Sequence, residues 1–271
     1  MNHRKSTAKP KLGQHFLVSD AARLAIVNAL GDLTTETVLE IGPGQGAITD
    51  LLAQRAQRMI AVEFDSDLAP ILKRRYAHLS NVQVLQADIL RVDLRVLCEA
   101  HSVRNLYIVG NLPYYITSDI LLWLFAQMEA CSRAVFMMQD EVADRIAATP
   151  GHSEYGLLSA TTQMHMQVEK LFSLSPDAFA PPPKVNSAVV RLHPQPRFAE
   201  LAVERAPFEK FLRAGFQQKR KTLANNLRAA GYSTEAIAAG MRDTPVTANA
   251  RAEEIPLATM AQIFHHLPSQ D

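Results

Sequence analysis

The chain has 271 residues, 48% hydrophobic and 20% charged, enough apolar material for one large globular domain and a small one. A net charge of +1 excludes a chain that is basic throughout, so any nucleic-acid footprint must be local. No apolar run approaches the roughly 18 residues of a membrane span, and Cys98 and Cys131 stand far apart with no metal-ligand spacing, so neither a disulfide scaffold nor a metal is expected.

The N-terminus carries Arg4, Lys5, Lys9 and Lys11 with no acid before Asp20, yet lacks the apolar core of a secretory signal. The segment Lys11–Leu17 has the look of structured chain, and a reducing, cytoplasmic setting is expected. Ser19 or Asp20 can cap a helix over Ala21–Leu30, which Gly31 stops. Thr37–Gly42 is a short strand that breaks into Pro43-Gly44-Gln45-Gly46, with a helix from Ala47. A strand, a glycine turn and a helix in that order let the backbone approach a nucleotide closely, and Gly42, Gly44 and Ala47 satisfy the looser dinucleotide pattern.

Arg58–Glu63 is a second strand, ending in an acid 21 positions after Gly42. A carboxylate there accepts both ribose hydroxyls of NAD or of S-adenosylmethionine equally well. Asn81–Ala87 gives a third strand that ends at Asp88, placed to accept from a cofactor's adenine amine. The fourth, Leu106–Val109, runs into Gly110-Asn111-Leu112-Pro113-Tyr114-Tyr115, where Pro113 forces the chain out of the sheet. Gly42, Glu63, Asp88 and Asn111 therefore fall on one edge of a parallel sheet, where ligands of such folds bind.

The Asn111 tip suits the holding of a nucleobase amine. Adenine N6 is a poor nucleophile because its lone pair is delocalised; the Asn111 oxygen and the Leu112 carbonyl could accept its two hydrogens and localise that pair. Tyr114 could stack on the extruded base. A plain Pro-containing turn with Tyr114 and Tyr115 in the core is the alternative.

Further helices are expected at Ser118–Met128 and Asp140–Ala148, strands at Ala134–Met138, Val168–Leu174 and Ser187–Leu192, and a loop at Pro150–Gly156. The proline-stiffened loop Phe179–Lys184 holds Phe179 at low entropic cost. His193–Pro196 marks a boundary, giving domains 1–194 and 195–271. Beyond it, helices are expected at Pro207–Phe216, Arg220–Ala230, Thr234–Met241 and Leu257–Leu267. Lys219, Arg220 and Lys221 make one helix end basic, either as a solvated face or as a phosphate-binding patch.

These blocks together resemble the S-adenosylmethionine-dependent methyltransferases and, more narrowly, the ribosomal RNA adenine dimethylases of the small-subunit (16S) dimethyladenosine transferase type. The resemblance runs through Gly13–Leu17, Glu40–Gly44, Glu63, Asp88, Asn111–Tyr114, Phe179–Val185 and Phe216–Leu227. It implies a Rossmann-like α/β methyltransferase sheet with a small C-terminal all-helical domain. It also implies S-adenosyl-L-methionine as cofactor, bound by His15, Leu17, Gly42, Glu63, Asp88 and Asn111. Catalysis falls to Asn111, Leu112, Pro113, Tyr114 and Phe179, with Phe179 facing the pocket to sandwich the base against Tyr114; a ring plugging the sheet edge is the alternative. The implied target is a pair of adjacent adenosines near the 3′ end of 16S rRNA in immature small subunits, met by a monomer that uses Lys219, Arg220 and Lys221. A large-subunit rRNA methylase, a non-catalytic assembly factor and an NAD oxidoreductase are the rivals.

Overall fold

The computed structural model describes residues 15–268; Gly13 and Gln14 of the N-terminal block, and the four basic residues before them, lie outside it. The strands are β1 (Phe16–Leu17), β2 (Thr37–Ile41), β3 (Arg58–Glu63), β4 (Val82–Gln86), β5 (Leu106–Asn111), β6 (Cys131–Gln139), β7 (Met166–Leu174), β8 (Phe179–Ala180) and β9 (Ser187–Pro194). Seven of them form one sheet in the order β4-β3-β2-β5-β6-β9-β7, and β1 pairs with β8 in a separate antiparallel ribbon. From β4 to β6 the pairing is parallel; β9 and β7 close the edge as an antiparallel hairpin.

Register explains the site. Ile41 lies opposite both Val62 and Gly110, so Gly42, Glu63 and Asn111 emerge side by side at the carboxyl ends of β2, β3 and β5. Chain order reverses between β2 and β5, and such switch points open a crevice at the strand tips. All of β2 is buried because helices cover both faces of the sheet, as parallel sheets require.

The helices of this unit are α1 (Asp20–Leu30), α2 (Thr49–Arg55), α3 (Leu68–Tyr76), α4 (Leu94–His101), α5 (Thr117–Ala126), α6 (Asp140–Ala147) and α7 (Leu157–His165). One face buries Leu39, Ile41, Ile60 and Ile108 with Ile120 and Leu124 of α5. The other buries Val38, Met59 and Val109 with Ile26 of α1, Leu52 of α2 and Leu72 of α3. Ser19 caps α1 through the Ala22 N–H, as the sequence predicts. Helix α2 starts two residues after Ala47, because Gly44 and Gly46, at φ +58 and +83, extend the turn.

Four helices follow the sheet: α8 (Arg205–Gly215), α9 (Leu223–Ala229), α10 (Thr234–Arg242) and α11 (Leu257–His265). Phe208, Phe211, Leu212, Leu227 and Met260 form their core, and Tyr155, Ala160 and Met164 from α7 and the loop before it join it. The expected helix over Arg220–Ala230 begins only at Leu223: the Thr222 hydroxyl accepts from the Asn225 N–H and fixes the start there. Lys219, Arg220 and Lys221 thus sit on an exposed turn between α8 and α9. Helix α7 is not anticipated by the sequence pattern.

Candidate functional site

A cavity of about 460 Å³ opens at the carboxyl edge, within the range of small-molecule sites. It is lined by His15, Phe16 and Leu17, the Gly42–Gln45 turn, Glu63, Asp88 and Asn111–Tyr114. Nine candidate residues from five separate stretches therefore share one crevice, since His15, Leu17, Gly42, Glu63, Asp88, Asn111, Leu112, Pro113 and Tyr114 all line it, whereas Phe179, paired opposite Leu17, is not among its lining residues.

The glycine turn and Glu63 form one unit. Glu63 Oε2 accepts from the Gly44 N–H at 2.9 Å and Oε1 from the Asp65 N–H at 2.8 Å, so the carboxylate is clamped at the strand tip. Burial pushes the Glu63 carboxyl above its usual range, and those backbone bonds pull the other way. Gly42, at φ +64, would meet nothing with an added Cβ, so its α-carbon borders open space. Gly44 has the Phe16 ring within 3.1 Å of a Cβ position, which fixes the N-terminal segment over the turn. Asp88 caps the short turn Ile89–Arg91 by accepting from Leu90 N–H at 3.0 Å. A second acid lies deeper. Glu40 is 2% exposed, lines the cavity floor and accepts from Thr49 Oγ1 at 2.7 Å; burial raises its pKa to about 8.

At the other end of the crevice, Asn111 Nδ2 donates to the His15 carbonyl at 3.1 Å. One amide N–H is thereby engaged by the fold, while Oδ1 receives no protein donor among the described residues. Leu112 is pinned through its N–H to the Met137 carbonyl, and the Pro113 carbonyl accepts from Ile116 N–H and Thr117 Oγ1, each at 3.1 Å. This makes the Asn111–Ile116 turn rigid. The Tyr114 hydroxyl is 2.7 Å from Ser187 Oγ, and its ring lies 6.1 Å from that of His15 at 27°. His15 Nδ1 lies 2.8 Å from the Pro181 carbonyl, so His15 fastens three pieces of the site together.

Phe179 is placed differently from the expected sandwich. It is 3% exposed and packs with Leu17, Met137 and Val189, because the β1–β8 ladder sets it opposite Leu17. It does not line the cavity, and the ring beside Tyr114 is that of His15. Glu40, Phe64, Tyr115 and Ser187 are site residues that the sequence reading did not assign. Glu40 was visible inside an apolar strand, where an acid needs a reason; the others depend on pairing between distant segments.

Fold and crevice together define a nucleotide-binding α/β protein of the methyltransferase type. The family model described as ribosomal RNA adenine dimethylase matches residues 5–268, and the chain belongs to that family. A protein named Ribosomal RNA small subunit methyltransferase A from Acidobacterium capsulatum is 55% identical, over 96% of this chain and 91% of the relative. One of the same name from Koribacter versatilis is 49% identical, over 97% and 95%. Among solved structures, a dimethyladenosine transferase from Plasmodium falciparum matches at TM-score 0.74 and 23% identity, covering 92% of this chain and 96% of that one, which bears on the fold. The 23S rRNA methyltransferase ErmE matches at TM-score 0.70 and 25% identity, covering 93% and 99%.

Proposed function

We propose that the protein transfers methyl groups from S-adenosyl-L-methionine to N6 of two adjacent adenosines near the 3′ end of 16S rRNA, dimethylating each, and so takes part in small-subunit biogenesis. The observation that carries this reading is the Asn111 amide. Its nitrogen is held by the His15 carbonyl, which leaves Oδ1 and the Leu112 carbonyl as the acceptors offered to an exocyclic amine. Two acceptors can take both N6 hydrogens, leaving the lone pair to point at an electrophile. The Tyr114 ring, steadied by Ser187, supplies a face for the base.

The residues present fit the cofactor. The glycine turn leaves room for a close approach, the clamped Glu63 offers its remaining lone pairs to ribose hydroxyls, and Asp88 stands one strand further along for an adenine amine. His15 and Leu17, which line the same cavity, would add further cofactor contacts. When bound, the cofactor supplies an electrophilic methyl group on sulfur. The chain then has only to place the amine in line and keep water out, and no side chain must act as a general base.

The relatives' names support the small-subunit target over the large-subunit one, at 55% and 49% identity against 25%. We further assign residues 1–194 to the methyltransferase unit and 195–271 to a helical RNA-binding unit, with Lys219, Arg220 and Lys221 on RNA phosphates. The enzyme works as a cytoplasmic monomer on immature subunits. Incubation with labelled cofactor and small subunits that lack the modification, followed by nucleoside analysis, tests the reading. N6,N6-dimethyladenosine in 16S rRNA is the expected product; label in large-subunit rRNA alone, or none, contradicts it.

A further inference from the structure

We propose that Tyr115 is a stacking platform for the nucleotide next to the adenosine being methylated; this rests on the reaction proposed above. Two consecutive tyrosines leave the tip of β5, and the fold treats them oppositely. Tyr114 is half-buried and bonded to Ser187, whereas Tyr115 is 66% exposed and lines the mouth of the same cavity. Among the described residues Tyr115 makes no side-chain hydrogen bond and no ring contact. A single exposed apolar side chain is ordinary, so exposure alone says little.

Its mounting and position say more. The Pro113 carbonyl, bonded to both Ile116 N–H and Thr117 Oγ1, locks the turn that carries Tyr115 onto the start of α5. The ring is thus presented on rigid backbone one residue from the base-holding aromatic. A base drawn into the cavity leaves its neighbour in the strand unstacked on one side. That neighbour lies at the cavity mouth, where Tyr115 offers the replacement plane. With two adjacent adenosines as substrate, whichever one is outside the cavity occupies this plane while the other reacts. The other highly exposed ring of the crevice, Phe64, follows Glu63 at 63% exposure and belongs to the cofactor end. Tyr115 should therefore act on RNA and not on the cofactor.

The test uses full-length protein carrying Tyr115→Phe, Tyr115→Leu or Tyr115→Ala, with small subunits reconstituted on unmodified 16S rRNA. Base–aromatic stacking predicts a KM for subunits raised about tenfold in the Leu and Ala variants, with the Phe variant at the wild-type value. Tyr115→Leu keeps apolar bulk without a π-face, so it separates stacking from mere surface coverage. Turnover at saturating subunits and cofactor affinity by calorimetry should not change. In a second arm, one adenosine of the pair is replaced by uridine. The smaller face should raise the wild-type KM and leave that of Tyr115→Ala where it was. A wild-type KM in the Leu and Ala variants overturns the proposal. So does a Phe variant as weak as the Ala one, a loss of cofactor affinity, or equal sensitivity of wild type and Tyr115→Ala to uridine. Wild-type protein that transfers no methyl group to either adenosine overturns the reaction itself, and this inference with it.

Discussion

The bond from Asn111 Nδ2 to the His15 carbonyl decides which end of that amide meets the substrate. Asn111→Ala removes the acceptor while leaving the turn held by Leu112 and Pro113, so methyl transfer should fall about 10²–10³-fold, as for loss of other preorganised hydrogen-bonding groups. RNA binding should survive, and single-turnover rates beside equilibrium RNA binding would check both; wild-type rates would remove the role. Tyr114→Phe keeps the ring and loses the Ser187 bond, at about 0.5–1.5 kcal/mol, so substantial activity should remain, unlike in Tyr114→Ala. At the cofactor end, Glu63→Ala frees two backbone N–H groups and removes the ribose acceptor. Loss of hydrogen bonds to a charged group costs about 1.5–3 kcal/mol, so cofactor affinity should drop roughly ten- to a hundredfold, and somewhat less in Asp88→Ala. Unchanged calorimetric affinity in both variants would dissolve the cofactor assignment.

Between β2 and α2 lies a proton that the fold keeps. Glu40 is raised to about 8, first by burial and then by the neighbouring Glu63 and Asp50, so the folded protein holds it protonated where the unfolded chain has released it. A raised folded pKa gives stability that is complete below about 4.5 and lost as pH climbs to about 8. The loss approaches 1.4 kcal/mol per pH unit inside that window. Glu63, also raised by burial, adds a slope of the same sign. Glu40→Gln still accepts from Thr49 and cannot ionise, so its urea-unfolding stability should vary less between pH 5 and pH 8 than that of wild type. Parallel curves would refute a retained proton. Elements of this kind were legible in part. The strands of the parallel sheet announce themselves by β-branched apolar runs, and the acids and amide at their ends follow from one shared register. Helix α7 did not, because Leu157–His165 intersperses Ser, Thr and Gln among its apolar residues and takes its burial from α6 and α8. The place of Phe179 is illegible for a similar reason: its position depends on pairing with Leu17, which no local pattern states.

The whole molecule joins a sheet unit to a helical unit through a polar seam. Buried His165, at the end of α7, stacks on Phe125 at 5.0 Å and bonds Glu209 of α8 at 2.9 Å; Arg205 bonds the same carboxylate and also the Phe125 carbonyl. Composition could mark a change near His193–Pro196, but not that α7 would lend Ala160 and Met164 to the helical core. The basic turn sits beyond this seam and leans back across it, with Lys219 Nζ donating to the Ser153 carbonyl at 3.0 Å. That bond orients the ammonium without neutralising it, so all three charges remain for phosphate. If they bind RNA, their contribution is counterion release and carries little sequence information. Changing Lys219, Arg220 and Lys221 to Gln should weaken RNA binding most at low salt and flatten the log–log salt dependence by about 0.7–0.9 per lost contact. Cofactor affinity should hold, since Gly42, Glu63 and Asp88 lie on the sheet edge and share no contact with this turn. A salt slope identical to wild type would mean that the turn is only a solvated corner, and the RNA path would then have to run along another face of the helical unit.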